Sequence, residues 1–248
     1  SLLDDCIHSF FGYGSFSAKI EANAEDGKKY PCTSPYEILD TIYVMGSGIG
    51  MAIGQAKAGY GDGKILAVAG DSTFIHATLP TLVNAVYDNA DITFVILDNS
   101  WTCMTGHQPN PNTTYHPSGT DLPGFDIEAV CRSLGVKSIS VVSAYDRAGA
   151  VKSVSDALSY DGPAVVIMTG ECQLQLSRRN KKGATKTHID PDKCNGCKSC
   201  IQLGCPAIKY DAAAKRASID EISCVDCGLC LQFCPQHAIG MEDETHGR

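Results

Sequence analysis

The sequence lacks any surplus of positive charge and any long hydrophobic run, and each absence removes a class of function. Its 248 residues carry 20 Lys and Arg against 28 Asp and Glu, a formal net charge of −8. With a calculated pI near 5.3, there is no electrostatic footprint for nucleic acid or an anionic membrane surface. Nowhere does the sequence supply the roughly 18 successive apolar residues that suggest a spanning helix. The opening Ser-Leu-Leu-Asp-Asp has neither the basic n-region nor the long apolar run of a leader. The expectation is a soluble protein of a reducing cytoplasm, with no nucleic-acid partner and no membrane span. With 44% hydrophobic residues, the chain can bury a substantial core, and one larger domain plus a small one is the natural division.

Cysteine is abundant. Eight of the 13 fall in two runs, Cys194, Cys197, Cys200 and Cys205, then Cys224, Cys227, Cys230 and Cys234. The spacing C-x2-C-x2-C-x4-C-P followed by C-x2-C-x2-C-x3-C-P is that of a two-cluster bacterial-type ferredoxin, in which the fourth cysteine of each run ligates the other cluster. One [4Fe–4S] centre is therefore assigned to Cys194, Cys197, Cys200 and Cys234, and the other to Cys224, Cys227, Cys230 and Cys205. Pro206 and Pro235 fix the chain direction as it leaves each remote ligand. Four-cysteine zinc sites are the alternative, but they come as separated C-x2-C pairs, which two triplets each followed by Cys-Pro do not resemble. Leu203 and Gly204 lengthen the first gap and predict a local bulge with unchanged ligation. Free thiolates and cubanes also speak against secretion.

Before the cysteines, apolar strands alternate with helical segments. A helix is predicted over 16–24, another over Met45–Ala58, a turn at Gly59–Gly63 and a buried strand over Lys64–Ala69. Then follow a helix from about Thr78 to Asn89, a strand over Ile92–Leu97, a helix over Asp126–Leu134, a strand over Ser138–Val142, a helix over Arg147–Ser159 and a strand over Ala164–Thr169. Such alternation implies an α/β fold with a parallel sheet covered on both faces. The polar stretch Ser177–Lys186 changes composition sharply and predicts a linker. The expected organisation is an α/β domain over 1–176, a linker over 177–187 and a small cluster domain over 188–248. The five basic residues Arg178, Arg179, Lys181, Lys182 and Lys186 read first as a solvated connector and second as a docking strip for an acidic carrier.

Gly70-Asp71-Ser72 ends one predicted strand and Asn99 ends another, so a parallel sheet would bring both side chains to the edge where ligands bind in open α/β sheets. A carboxylate and an amide oxygen there suit a hard divalent cation, Mg2+, completed by a backbone carbonyl and phosphate oxygens. A simple N-cap on the following turn is the competing structural reading of Asp71. Gly46, Gly48 and Gly50 form G-x-G-x-G with no clear strand leading in, so the dinucleotide fingerprint is not met.

The combination resembles a known family. Gly70-Asp71-Ser72, then 26 residues, then Asn99 is similar to the thiamine-diphosphate motif that begins glycine-aspartate-glycine and ends in asparagine. Asp98 to Pro109 resembles the D-N-x-x-x-x-M-T-G-H-Q-P segment of 2-oxoacid:ferredoxin oxidoreductases, and within them the large, thiamine-binding subunit of the indolepyruvate branch. Those subunits also carry a two-cluster ferredoxin domain with the same x4 gap and a Gly-Cys-Pro-Ala-Ile sequence like Gly204–Ile208. The resemblance covers roughly residues 38–240.

It implies Asp71 and Asn99 as side-chain ligands of Mg2+ and Trp101 as a backbone-carbonyl ligand. Ser72 and Thr73 would lie at the diphosphate. Thr105, Gly106, His107 and Gln108 would form a loop over the diphosphate and reacting carbon, with His107 the candidate for a direct catalytic part and a packing role its alternative. Met104 would pack on the thiazolium or serve as a core methionine, and Cys103 reads as a spectator. Gly46, Ser47, Gly48 and Ile49 would approach the cofactor where only small residues fit.

Two departures matter. The family's C-P-G-C-x-H opening is echoed only by Cys6 and His8, with Cys32 a loose match to a later segment, and the pyrimidine-binding domain is missing, which implies a partner subunit. The implied reaction is decarboxylation of a 2-oxo acid, arylpyruvate favoured, to an acyl-coenzyme A, with electrons passing through two clusters to an external ferredoxin. A pyruvate or other 2-oxoacid enzyme and a non-catalytic electron-transfer subunit with a scaffold α/β domain are the alternatives.

Overall fold

The computed structural model describes residues 44–60, 64–103, 105–115, 123–179 and 185–243. The helix expected over 16–24, Cys6, His8, Cys32, Met104 and the middle of the expected linker lie outside those residues. Contacts divide the chain into two units with the boundary between Glu171 and Cys172.

The first unit is built on four parallel strands, β1 (Ile65–Gly70), β2 (Ile92–Asp98), β3 (Ser138–Ser143) and β4 (Ala164–Thr169), in the spatial order β1-β2-β4-β3. Side chains alternate between faces with the period of two that a strand imposes. Ala67, Ala69, Phe94, Ile96, Val165 and Ile167 enter one core, beneath α1 (Ser47–Lys57), α3 (Leu79–Tyr87) and α4 (Ile127–Ser133). Val68, Val95, Leu97, Ala164 and Val166 enter the other, beneath α5 (Arg147–Leu158). Burial on both faces explains why β2 and β4 read as nearly continuous apolar runs.

Between β1 and α3 the chain departs from expectation. The helix does not wait for Thr78 but starts directly out of β1, as α2 (Asp71–Thr73), a π turn over Phe74–Thr78, and then α3. Pro80 stands at the second position of α3 and has no N–H to give, so the ladder changes register one turn before it. Asp71 is consequently the first helical residue, while the N-cap is Gly70 with no side-chain capping bond. The simple N-cap reading of Asp71 is thereby corrected. Phe74 at the π turn stacks at a tilt against Phe94 of β2, with centroids 6.2 Å apart. An aromatic pair of this kind contributes about 0.5–1.5 kcal/mol and pins the turn to the sheet.

The second unit opens with α6 (Gln173–Arg179) and β5 (Thr185–Ile189), so both ends of the stretch expected as a linker over 177–187 are regular structure. Beyond them the chain runs twice through one pattern. Asp190 and Asp220 each accept a bond from the N–H of the first cysteine of a run, Cys194 at 3.1 Å and Cys224 at 3.0 Å. A 3₁₀ turn follows in each copy, Ser199–Leu203 and Leu229–Phe233. The copies interleave, since β5 pairs with β8 (Ile239–Asp243) and β6 (Ile208–Asp211) pairs with β7 (Arg216–Ile219). Asp190 N–H reaches Ala238 O at 2.8 Å, and Asp220 N–H reaches Ala207 O at 2.7 Å. Exchanged pairing carries the fourth cysteine of each run toward the other run.

Candidate functional site

In the α/β unit, β1 and β2 are parallel neighbours with Gly70 opposite Leu97. Asp71 and Asn99 therefore leave the sheet at one edge, the C-terminal one, as strand order requires. Both are buried, Asp71 to 1% exposure and Asn99 to 7%. Asp71 Oδ1 accepts the Ser72 N–H at 2.7 Å, and its Oδ2 accepts Asn110 Nδ2 at 3.2 Å. Asn99 Oδ1 accepts the Trp101 N–H at 2.8 Å, which turns the chain sharply after β2 and buries the indole. Trp101 Nε1 donates to Glu171 Oε1 at 3.3 Å.

The segment after Asn99 folds back over this edge. Thr102 and Gln108 exchange backbone bonds at 2.8 and 3.1 Å, closing a loop whose apex holds Thr105, Gly106 and His107. Gly106 has φ +112° and His107 +65°, the left-handed region that a tight reversal needs and that glycine occupies without cost. Thr105, Gly106 and Gln108 are exposed, with Gln108 Nε2 bonded to Thr105 O at 2.6 Å, and His107 is half-buried. Thr102 Oγ1 donates to Ser72 Oγ at 2.9 Å, which ties the base of the loop to the start of α2.

Three residues that the sequence reading passed over hold the far side. Asn112 Nδ2 donates to Asp98 Oδ1 at 2.6 Å, its own N–H goes to Asn110 Oδ1 at 2.8 Å, and Thr113 Oγ1 donates to the Ser100 carbonyl. Asn110, Asn112 and Thr113 are buried polar residues in a loop, and the signal available in the sequence was the unusual run Asn110-Pro111-Asn112-Thr113. Asp98 was read as a strand end and as the first residue of the family segment, with no role of its own in the site. Its carboxylate accepts the Ser100 N–H at 3.1 Å and adds a second negative group beside Asp71. Burial foremost, then the charge of Asp98, pushes the Asp71 carboxyl up to about 7, and the bonds from Asn110, Ser72 and Asn112 offset only part of this. Burial likewise raises Asp98.

Gly46, at the N-cap of α1 with φ +83°, meets this region from the other side. A Cβ there would stand 2.8 Å from Ala77 Cβ, 3.2 Å from Thr78 Cγ2 and 3.7 Å from Thr73 Cγ2. Packing against the helix after β1 thus accounts for the glycine. Gly48 and Ile49 are buried beneath the same helix, and Ser47 Oγ accepts the Val44 N–H at 3.3 Å.

In the second unit the two sets of cysteines separate as the exchanged strand pairing demands. One cavity, of about 330 Å3 including its open mouth, is lined by Cys194, Cys197, Cys200 and Cys234. The other, of about 440 Å3, is lined by Cys205, Cys224, Cys227 and Cys230. Burial and then the neighbouring Cys227, Cys205 and Cys224 push the Cys230 thiol up to about 12. Cys200 is raised in the same way, by burial first and then by Cys234, Cys194 and Cys197. Cys197, by contrast, is lowered by hydrogen bonding from Ser199. Four soft sulfur donors around each cavity fit a cluster whose iron would take their protons' place.

Residues 25–168 match the family model described as the thiamine pyrophosphate enzyme C-terminal TPP binding domain. The chain belongs to that family. Residues 186–235 match a 4Fe-4S dicluster domain, so the protein combines a thiamine diphosphate domain with two [4Fe–4S] clusters. It is 41% identical over 207 residues to indolepyruvate oxidoreductase subunit IorA of Archaeoglobus fulgidus, covering 83% of this chain and 33% of that protein. To the IorA subunit of Pyrococcus horikoshii it is 39% identical over 220 residues, covering 81% of this chain and 33% of that protein. The chain thus spans about a third of the length of these relatives. Pyruvate synthase subunit PorD of Methanothermobacter marburgensis matches at 42% over 71 residues, 27% of this chain and 83% of that subunit.

The thiamine diphosphate domain offers the chemistry its cofactor needs. Asp71 and Asn99 present a carboxylate and an amide oxygen, hard donors that suit a small divalent cation. Among the described residues no cation offsets the buried carboxylate of Asp71 and the half-buried one of Asp98, which is the compensation that such a cation would bring. Ser72 and Thr73 occupy the first helical turn after Asp71.

Proposed function

We propose that this chain is the thiamine-binding and electron-carrying part of a 2-oxoacid:ferredoxin oxidoreductase of the indolepyruvate type. The observation that carries the proposal is the burial of Asp71 and Asn99 at one sheet edge, on the same chain as two four-cysteine cavities. Asp71, Asn99 and the Trp101 carbonyl would hold Mg2+, and Ser72 and Thr73 would meet the diphosphate. Bound there, thiamine diphosphate supplies a stabilised carbanion for decarboxylating a 2-oxo acid, and the clusters supply one-electron transfer. The Asn99–Thr113 segment covers the strand ends and excludes water from them. His107, at the apex of that cover, is the residue to handle substrate, and Thr105, Gly106 and Gln108 shape its turn. Met104 would pack on the cofactor.

Thiamine diphosphate lies between two domains, so the pyrimidine-binding half comes from outside these 248 residues. Partner subunits, coenzyme A as acyl acceptor, a soluble ferredoxin as electron acceptor and a cytoplasmic setting complete the proposal. The indolepyruvate type is favoured because the IorA likeness, at 39 to 41% identity, spans four-fifths of this chain.

The test is made on the assembled protein, supplied with coenzyme A and a low-potential acceptor and offered indolepyruvate, phenylpyruvate, pyruvate and 2-oxoglutarate. Arylpyruvates are expected to be preferred. The Asp71→Ala protein should retain cluster absorbance while losing thiamine diphosphate and decarboxylation. Retained cofactor binding in that variant would sink the proposal.

A further inference from the structure

The two copies of the cluster-binding pattern are alike in backbone but differ in charge, since acidic and basic residues balance over 190–200 whereas 220–230 carries only acidic ones. Two residues after the first cysteine of each run, the chain turns left-handed, at Gly196 with φ +72° and at Asp226 with φ +54°. In the first copy a side chain is barred, since a Cβ on Gly196 would lie 2.1 Å from Lys215 O. In the second copy that position carries a carboxylate. Asp226 Oδ1 accepts the Thr187 N–H at 2.8 Å, which fixes it, and lies 3.5 Å from Cys224 Sγ.

The next left-handed position reverses the arrangement. Lys198, with φ +64°, stands in the first copy and Gly228, with φ +71°, in the second. Lys198 Nζ sits 4.6 Å from the centre of the Tyr210 ring, whose hydroxyl donates to Gly196 O at 3.5 Å, so the ammonium is retained beside the first run. One residue on, Ser199 Oγ lies 3.5 Å from Cys197 Sγ, and toward a cluster-bound thiolate it is the hydroxyl that donates. The second copy has Leu229 there, with nothing to donate. Cys197 is also exposed, whereas Cys205, Cys224, Cys227 and Cys230 are half-buried or buried.

Net charge, hydrogen bonds to sulfur and solvent exposure are the protein's means of setting a cluster's potential, and here charge and exposure act in one direction. Reduction adds one negative charge to a cluster. A cation, a hydroxyl and water ease that addition at Cys194, Cys197, Cys200 and Cys234. A fixed carboxylate resists it at Cys205, Cys224, Cys227 and Cys230. The Asp226 N–H, at 3.4 Å, and the Thr187 side chain also bond to Cys224 Sγ, but these neutral bonds offset only part of the charge.

We propose that Asp226 makes the second cluster the harder of the two to reduce, so that the first electron entering this unit rests on the cluster of the first run. The inference depends on the cluster reading above and goes beyond it by ranking the two centres and naming the residue responsible. One electron from a low-potential donor converts one [4Fe–4S]2+ to [4Fe–4S]+, and the proposal concerns only which cluster takes it.

The test is an anaerobic titration with dithionite of the full chain carrying both clusters, followed by electron paramagnetic resonance. Asp226→Asn is the decisive variant, because asparagine tolerates left-handed backbone and keeps an oxygen for the Thr187 N–H while removing the charge. It should raise the lower of the two midpoint potentials by about 59 mV, the equivalent of a tenfold change in a one-electron equilibrium, and leave the upper one in place. Lys198→Gln should lower the upper potential and leave the lower one. An unchanged lower potential in Asp226→Asn, or a Lys198→Gln effect on the lower centre, overturns the ranking. A wild-type chain that assembles no clusters overturns the cluster reading along with it. Clusters ranked as stated, in a protein that decarboxylates nothing, would refute the proposed function and leave this inference standing.

Discussion

The side-chain amide of Asn110 donates to the Asp71 carboxylate at 3.2 Å, joining the far end of the covering loop to the end of β1. Asn110 is itself held, with its N–H on Thr113 Oγ1 at 2.9 Å and its Oδ1 accepting the Asn112 N–H at 2.8 Å. The loop and the candidate ligand are thus one buried hydrogen-bonded body. A hydrogen bond to a charged group contributes about 1.5–3 kcal/mol. Asn110→Ala is therefore expected to weaken binding of thiamine diphosphate with Mg2+ by roughly ten- to a hundredfold. Calorimetric titration of the assembled protein checks this, and unchanged affinity would show that Asp71 is oriented without the loop.

The same carboxylate sets a pH dependence. Burial and Asp98 push Asp71 from its ordinary 3.8 up to about 7 in the cofactor-free protein. A folded-state pKa above the unfolded one means that the folded chain binds the proton more tightly. The stability gained from that protonation is fully present below 3.8 and is lost as pH rises through about 7. A divalent cation competes with the same proton, so its affinity should grow as pH rises from about 6 to 8. Thermal unfolding with and without Mg2+ and thiamine diphosphate should show the larger stabilisation at pH 8. Equal stabilisation at both values would place the cation elsewhere.

At the opposite edge of the sheet, Lys64 is a structural fastener. Its side chain is 5% exposed, and Nζ donates to Ala157 O at 3.0 Å, to Gly162 O at 2.8 Å and to Tyr160 O, with Asp91 Oδ1 at 3.2 Å. The ammonium thereby satisfies carbonyls at the C-terminal end of α5, where the helix dipole also favours a cation. It ties the start of β1 to the turn that leads into β4. Lys64→Met fills similar volume but leaves these carbonyls without their charged donor. A loss of about 2–3 kcal/mol is expected, measured by urea unfolding of the α/β unit followed by circular dichroism. A midpoint equal to that of the parent would mean that water replaces the ammonium.

Strand periodicity and the two cysteine runs made most of this architecture readable from the sequence, because both signals are local. The four parallel strands fall within a residue or two of their expected limits, since two-sided burial writes itself as apolar runs such as Ile92–Asp98. The ends of helices were less legible. The helix was expected to begin near Thr78, yet the chain absorbs Pro80 through a π turn and starts the helix at Asp71, an arrangement held by the distant ring of Phe94. Asn110, Asn112 and the part played by Asp98 escaped notice for a related reason. Their importance lies in side-chain bonds between positions 14 and 39 residues apart, and no spacing in the chain announces such bonds. Gly46 was legible as a place of close approach, but its neighbour is the helix after β1.

The exchanged strand pairing of the cluster unit carries a prediction that separates it from a side-by-side arrangement of two independent sites. Because β6 pairs with β7, the segment that begins at Cys205 is carried beside the run starting at Cys224. Because β5 pairs with β8, Cys234 is carried beside the run starting at Cys194. Replacing a fourth cysteine should therefore damage the cluster of the other run. In Cys205→Ala, the centre of Cys224, Cys227 and Cys230 should lose an iron or fail to assemble, and in Cys234→Ala, the centre of Cys194, Cys197 and Cys200 should do so. Pairing each variant with Asp226→Asn identifies the surviving cluster. The Asp226 substitution should still move the remaining potential in Cys234→Ala, where the second centre survives, and should have no effect in Cys205→Ala. The reverse outcome would mean that each run closes its own cluster and that the strands, although exchanged, do not exchange the ligands.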